Sequence, residues 1–382
     1  MTGVLTPEQA MIRDAARAFA QGRLAPGAEA RAAEGRIGPD LIAEMAGLGL
    51  LGMTTAEDHG GIGADYLSYA LALMEIAAGD GAVSTMMSVH NAPFCAILSR
   101  FAAPDQQALW LEPAARGDFI GAFALTEAHA GSDAAAIRSR ARREGADYVL
   151  EGSKQFVTSA RICGGLILFA VTDPAAGKKG ISAFYVPAGS PGLTVLPPER
   201  KMGQRASDTC ALTFTGLRLP ESHRIGAEGQ GLSIALSSLE VGRIGIAAQS
   251  VGMAQAALEI AVAYAGERTT FGKPIADHQS VAFRLADMDM QVEAARQLVL
   301  NAARLKDTGA PCLREASIAK LFASQMAERV VSDAIQTLGG YGYLADFPLE
   351  RIYRDVRVCQ IYEGTSDVQR INISRELLGR RQ

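Results

Sequence analysis

Four runs decide how this chain folds: Tyr148-Val149-Leu150, Leu166-Ile167-Leu168-Phe169-Ala170-Val171, Ile181-Ser182-Ala183-Phe184-Tyr185-Val186 and Ala211-Leu212-Thr213-Phe214. Each is short and apolar or alternating. Gly, Pro, Asp and Ser separate them at about the spacing of an all-β unit. Pro187, Pro191, Pro197 and Pro198 punctuate the runs rather than fill them, as strands require. The spacing predicts strands from about Gly117 to Leu219, framed by helices on both sides.

Upstream, Thr6-Pro7-Glu8-Gln9 is a helix start, with a capping Thr, a Pro in the first turn and Gln three residues after the cap. Ile12, Ala15, Ala16, Phe19 and Ala20 follow at helical spacing. Leu41 to Leu48 reads as a short amphipathic piece, His59-Gly60-Gly61-Ile62-Gly63 as a break, and Tyr66 to Ala78 and Met86 to Phe101 as helix. Downstream of Pro220, Gly231 to Ala265, His278 to Lys306 and Leu313 to Leu338 are long and have one apolar face each; in the second, Val281, Leu285, Met288, Val292, Ala295 and Val299 make the stripe. Long helices with short links predict an antiparallel bundle. The chain reads as an α+β multidomain protein: an N-terminal helical domain (1–117), a middle β-barrel-like domain (118–222) and a C-terminal four-helix bundle (223–382).

Composition agrees. A length of 382 residues calls for two or three domains, and 48% hydrophobic with 20% charged residues excludes wholesale disorder. A net charge of −4 argues against a nucleic-acid surface. The 5 cysteines include no C-x-x-C pair and the 5 histidines no metal-binding spacing, so neither a disulfide framework nor a metal site is expected, and a reducing compartment fits. Met1 to Ala10 carries neither a basic nor an apolar signal region. The uncharged stretch Gly81–Ser99 holds Ser84, Thr85, Ser88, His90, Asn91 and Pro93, and reads as a buried helix rather than a membrane span. A cytoplasmic protein with no membrane or nucleic-acid partner is expected.

Nucleotide motifs fail on inspection. Gly61-Ile62-Gly63 has Tyr66 where a dinucleotide fingerprint needs its third glycine, and Gly272-Lys273 has its upstream glycine at the wrong distance and Pro274 after it. The richest local text is Ile361-Tyr362-Glu363-Gly364-Thr365-Ser366-Asp367. Thr365 or Ser366 can cap a following helix. The pattern alone is compatible with a capping loop bearing a solvated Glu, or with a general base beside an anion or cofactor site. Four further segments, 124–133, 154–159, 268–273 and 336–342, offer amides and hydroxyls with no Ser-His-Asp or Cys-His arrangement. Singly each reads as a turn; together they read as the lining of a large cofactor site.

Along nearly the whole chain the order of these segments resembles the acyl-CoA dehydrogenases, FAD enzymes of fatty-acid and amino-acid breakdown. The matching blocks are L-T-E-x-x-A-G-S-D at 125–133, R-x-x-F-G at 268–272, Q-x-L-G-G-x-G at 336–342 and I-Y-E-G-T at 361–365. Met87-Ser88-Val89 and Leu239 to Ile246 are most similar to the short-chain members. The resemblance implies that Glu363 is the base that takes the α-proton of an acyl-CoA while the β-hydrogen leaves as hydride to the flavin. It implies Tyr362 beside the thioester, the Glu363 amide on its oxygen, Gly364 in the substrate site, and Glu240 and Arg243 along the CoA portion; an ion pair on the helix face is the plainer reading of those two. For FAD it implies Phe123, Leu125 and Thr126 at the flavin edge, Ser132 near the pyrophosphate and CoA, and Phe156 and Thr158 against the ring. Arg268, Phe271 and Gln279 would reach the FAD of a neighbouring subunit, Gln336, Leu338, Gly339 and Gly340 would meet the pyrophosphate, and Thr365, Ser366 and Asp367 would close the site. A homotetramer made of two dimers is implied, with an electron-transferring flavoprotein as the electron acceptor.

Several features depart from the family pattern or select within it. Phe156 stands where many relatives have Trp, Ala128-His129-Ala130 replaces the common P-G-A, and Glu240 replaces the usual Asp. Some relatives place the base on a helix position that here is Gly242, which has no side chain to act with. Dicarboxylic-substrate relatives carry Arg near the position of Ser84, so a diacid is disfavoured. Short, medium and branched acyl chains all remain open. An oxidase-like relative, a nitroalkane-oxidising relative (which would carry Asp as base) and a non-catalytic flavin-binding relative are the alternative readings.

Overall fold

The computed structural model describes residues 5–379; the four residues before and the three after lie outside it. The first domain holds α1 (Pro7–Phe19), α2 (Ala28–Glu34), α3 (Pro39–Gly47), α4 (Tyr66–Gly79), α5 (Gly81–Val89) and α6 (Ala96–Phe101), then the short α7 (Pro104–Gln106) and α8 (Glu112–Arg116). The expected start is a full capping box: the Gln9 amide donates to Thr6 Oγ1 at 3.2 Å and the Thr6 amide to Gln9 Oε1 at 3.0 Å. Helix does not run unbroken from Met86 to Phe101. Ala92 is extended, with φ −146° and ψ 110°, because a proline at the next position disfavours the helical region for the residue before it. Just upstream of the break His90 is fully buried. Its Nδ1 accepts the Gly121 amide at 2.9 Å and its Nε2 meets the Ala114 carbonyl at 3.0 Å, which ties the first domain to the second.

The second domain is one sheet of eight strands: β1 (Ile120–Ala124), β2 (Arg140–Glu144), β3 (Asp147–Thr158), β4 (Cys163–Val171), β5 (Ile181–Pro187), β6 (Leu193–Pro198), β7 (Thr209–Pro220) and β8 (Arg224–Ile225). The order is β6-β7-β3-β2-β4-β5-β8, and β1 adds to β4 in parallel register, Phe123 opposite Ile167. The runs that predicted the domain lie in β3, β4, β5 and β7. Strand β2 escaped notice because it reads Arg-Ala-Arg-Arg-Glu, with only Ala141 buried.

The third domain is helical: α9 (Gly231–Glu267), the hairpin β9 (Thr269–Thr270) and β10 (Lys273–Pro274), α10 (Gln279–Asp307), α11 (Leu313–Leu338), α12 (Leu349–Val356) and α13 (Ser366–Leu377). The axis of the molecule is α9, which packs on α4, α10 and α11. It is long and apolar enough to cross a membrane, but most of that stretch is buried in the core. Its glycines set the packing distance: a Cβ at Gly252 would lie 2.0 Å from the Met74 carbonyl oxygen of α4.

Candidate active site

Glu363 sits on a turn, not on a helix or strand. Its φ is +54° and that of Gly364 +86°. Glycine adopts this region freely, whereas a residue with a Cβ spends about 1–2 kcal/mol to do so. The turn ends where the Thr365 hydroxyl caps α13, accepting the Val368 amide at 3.3 Å; Ser366 turns back to the Gln360 carbonyl at 3.4 Å instead. Asp367 is solvent-facing and pairs with Arg370 at 2.8 Å.

The turn drives the Glu363 carboxylate onto α9 at Gly242. A Cβ at Gly242 would lie 2.5 Å from Glu363 Oε2, so the two positions cannot both carry full side chains without movement. Glu363 is half-buried as a residue, yet its Oε2 is shut off from solvent and has no hydrogen-bond partner. Burial pushes its carboxyl up to about 7, against the pull of Arg243 and Lys320. A carboxylate balanced near neutrality with a free lone pair is equipped to take a proton.

The residue before Glu363 is tied into a buried polar cluster. Gln249, two turns beyond Gly242 on α9, is fully buried. Its Nε2 lies 2.8 Å from the Gly81 carbonyl, 2.8 Å from Ser84 Oγ and 2.6 Å from Thr85 Oγ1, while its Oε1 accepts the Tyr362 hydroxyl. Gln204 Nε2 donates to the same Tyr362 oxygen at 3.2 Å. The Tyr362 hydroxyl is therefore held by protein groups.

On the sheet domain, β3 and β7 slip register between Lys154 and Val157, and Phe156 has φ +59°. This bulge leaves the Phe156 ring 63% exposed although it belongs to a strand. Its base is anchored. Lys154 Nζ donates to the Leu125 carbonyl at 3.0 Å and to Glu127 Oε1 at 2.8 Å, and Glu127 also accepts the amides of Arg138 and Ser139 at 2.7 and 3.0 Å. Burial would raise the Glu127 carboxyl, but Lys154 and these hydrogen bonds together take it below its usual range. Leu125 is buried; Phe123, Thr126 and Thr158 are half-buried, and Ser132 is exposed.

A second group lies in the helical domain. Arg268, Leu338, Gly339 and Gly340 line a cleft of about 530 Å³ with Tyr264, Thr270 and Tyr341. The Arg268 guanidinium lies 5.8 Å from the Tyr341 ring centre. A Cβ at Gly339 or Gly340 would meet nothing within 4 Å, so a ligand can come close to the backbone at both, although the Gly339 amide itself donates to the Gln336 and Ile335 carbonyls at the end of α11. Phe271, at φ +50°, is 97% exposed at the tip of the hairpin, and Gln279 and Gln336 are also exposed. No residue lining this cleft comes from the sheet domain or from the 361–365 turn.

Glu240 and Arg243 do not pair with each other. Glu240 holds Lys306 of α10 at 3.0 Å and accepts the Cys312 thiol at 3.3 Å, whereas Arg243 is buried with an unpartnered Nε. Sequence reasoning did not single out Gln249, Gln204 or Lys320, and it took in Thr85 and Lys154 only as members of the 81–99 and 154–159 segments, with no role of their own. Lys320 left a signal, being a cation on the stripe Ala316, Ala319, Ala323 and Ala327 of α11, all buried.

These residues suit FAD. The strained, exposed Phe156 offers a ring to a flavin face. An arginine beside two glycines with no side chain in the way leaves room and a positive charge for a pyrophosphate.

Comparison with known proteins places family models on three stretches: acyl-CoA dehydrogenase N-terminal domain on residues 6–118, middle domain on 122–217 and C-terminal domain on 229–378. The chain is 46% identical to an acyl-CoA dehydrogenase of Bacillus subtilis (strain 168), over 98% of this chain and 99% of that one. It is 44% identical to the mitochondrial short-chain specific acyl-CoA dehydrogenase of Homo sapiens, over 96% of this chain and 89% of that one. The solved structure of butyryl-CoA dehydrogenase from Megasphaera elsdenii superimposes with a TM-score of 0.97 at 40% identity, covering 99% of this chain and 100% of that one.

Proposed function

The chain belongs to the acyl-CoA dehydrogenase family, FAD-dependent oxidoreductases acting on the CH–CH bond of acyl-CoA thioesters, and from that premise we propose that it dehydrogenates a short acyl-CoA to the trans-2-enoyl-CoA with Glu363 as base. The carrying observation is the Glu363 carboxylate, which is desolvated, unpartnered and lodged against the bare face of Gly242.

An α-C–H beside a thioester is too weak an acid for a carboxylate in water. Two features of the chain reduce the mismatch: desolvation strengthens the base, and a backbone amide at Glu363 is available to the thioester oxygen as negative charge develops there. FAD, when bound, accepts the β-hydrogen as hydride. In this reading Phe123, Leu125, Thr126, Ser132, Phe156, Thr158 and Thr365 to Asp367 hold the cofactor of their own chain. Arg268, Phe271, Gln279, Gln336 and Leu338 to Gly340 hold that of a neighbour. The separation of the 530 Å³ cleft from the Glu363 turn within one chain supports this division, and with it a dimer as the smallest complete unit and a tetramer of two dimers. Ser132, Glu240, Arg243, Tyr362 and Gly364 lie along the substrate. The preference for a short chain is supported by the polar cluster of Gln249, Thr85 and Tyr362, which a longer tail would have to break, and by the likeness to short-chain and butyryl-CoA enzymes. The three domains, with the boundary expected at 222 moved past β8 to 225, an electron-transferring flavoprotein as acceptor and a cytoplasmic setting complete the reading.

The test is anaerobic mixing of the yellow holoprotein with a panel of acyl-CoAs. Bleaching is expected fastest with a four-carbon straight chain. Faster bleaching by an eight-carbon or branched chain would overturn the chain-length assignment, and no bleaching with any of them the function.

A further inference from the structure

We propose that Lys320 and Gln369 are positioning residues for Glu363: they hold the carbonyls of its strained turn from two helices, and the Lys320 ammonium places a positive charge on the turn that carries the carboxylate. The inference rests on Glu363 being the base.

A non-glycine residue stays in the left-handed region only where its surroundings over-determine it. Here the Gly364 carbonyl oxygen accepts two bonds, from Lys320 Nζ of α11 at 2.7 Å and from Gln369 Nε2 of α13 at 2.8 Å. Gln369 Nε2 also lies 3.2 Å from the Glu363 carbonyl. Both side chains are completely buried. Relaxation of the turn toward ordinary helical angles would turn the Glu363 carboxylate off Gly242, and these contacts oppose it.

Lys320 is an expensive way to make one hydrogen bond. It lies among alanines, and among the described residues no carboxylate comes within ion-pair distance of it. A buried ammonium without a direct counter-ion is strongly disfavoured, and burial pulls its own affinity for a proton down to about 8. The return is electrostatic. The groups coupled to Glu363 are Arg243 from α9, Lys320 from α11 and the Tyr69 phenol of α4. Beside them lie the Cys359 thiol and the Tyr362 hydroxyl, both neutral at working pH because burial raises each. Lys320 and Arg243 are thus the two cations that keep the desolvated carboxylate ionisable. Arg243 also feels Glu240, whereas no other carboxylate is seen to act on Lys320.

The test uses FAD-loaded protein and two readouts. One is the rate of flavin bleaching by butyryl-CoA across pH. The other is the titration of the Glu363 carboxyl by infrared difference against Glu363→Gln. Lys320→Met removes bond and charge, Lys320→Gln removes the charge but keeps a donor, and Gln369→Met removes donors but keeps the charge. Both Lys320 variants should move the carboxyl midpoint upward by about one unit. Gln369→Met should leave the midpoint in place and slow bleaching several-fold at every pH, with KM little changed. A wild-type midpoint in Lys320→Gln together with a wild-type rate in Gln369→Met would overturn the proposal, even if Lys320→Met fails to fold. Failure of the underlying reading looks different: Glu363→Gln would then still bleach, whatever the Lys320 variants do.

Discussion

Glu363 and Phe271 share a backbone conformation, φ +54° and +50°, and little else. The Glu363 turn is enclosed by α9, α11 and α13, and buried side chains hold its carbonyls. The Phe271 hairpin stands in solvent, its ring 97% exposed, with only a two-residue ladder beneath it. Strain at the first is borne by the chain's own packing. At the second the Phe271 ring meets the His278 ring edge-on at 6.0 Å and is otherwise left to solvent. In the proposed reading one chain carries a complete proton-transfer site and half of a cofactor site.

The largest effect should come from the finished site. Glu363→Gln is expected to fold and bind FAD, and to lose about 10² to 10⁴-fold or more in flavin bleaching measured by rapid mixing. Bleaching within tenfold of wild type would undo the contrast. The same variant should be more stable at pH 8 than its parent, and less so at pH 5. Burial raises the Glu363 carboxyl to about 7, so folding is disfavoured progressively as pH rises from its unfolded value through 7; thermal melts at the two pH values measure the difference.

Gly242→Ala should come next. Its Cβ, 2.5 Å from Glu363 Oε2, forces the carboxylate aside, and bleaching should fall roughly ten- to a hundred-fold, as for a misplaced reacting group. A wild-type rate would mean that the turn is looser than its contacts imply. In wild type, kcat/KM should drop about tenfold per pH unit below 7 and level off above it, because only the ionised base acts.

The open site should respond in kind rather than degree. Phe271→Ala should change the thermal stability of FAD-free protein by no more than about 0.5 kcal/mol, since an exposed ring has little burial to lose, while FAD dissociates faster and oligomers weaken on dilution. Unchanged FAD retention would remove the case for a shared cofactor site. The smallest effect is expected of Glu240→Gln. It breaks a partly exposed pair with Lys306 and should raise KM about two- to tenfold with no change in the bleaching step.

Much of this was legible in the chain. The strands of β3, β4, β5 and β7 and the long α10 and α11 followed from periodicity, because alternating or stripe-like burial leaves its period in the residues. The Thr6 cap followed from local hydrogen-bonding chemistry, which needs only neighbours a few residues away, and of the two candidates for the later cap, Thr365 and Ser366, the structure uses Thr365. Strand β2 did not follow, since only Ala141 faces the core. The break before Pro93 did not follow either, because the apolar helical pattern runs on through it.

What the sequence by itself determined was residue identity and short-range geometry: a carboxylate before a glycine, a capping threonine, and blocks whose order marks the family. Tertiary structure alone decided which groups meet. Glu363 and Gly242 are far apart in the chain, yet the absence of a Cβ at one makes room for the carboxylate of the other. Gln204, Gln249 and Tyr362 likewise become one hydrogen-bonded cluster only when β-domain loop, α9 and turn converge. The desolvation that shifts the Glu363 carboxyl is a property of everything packed around it, and no local window of residues contains it.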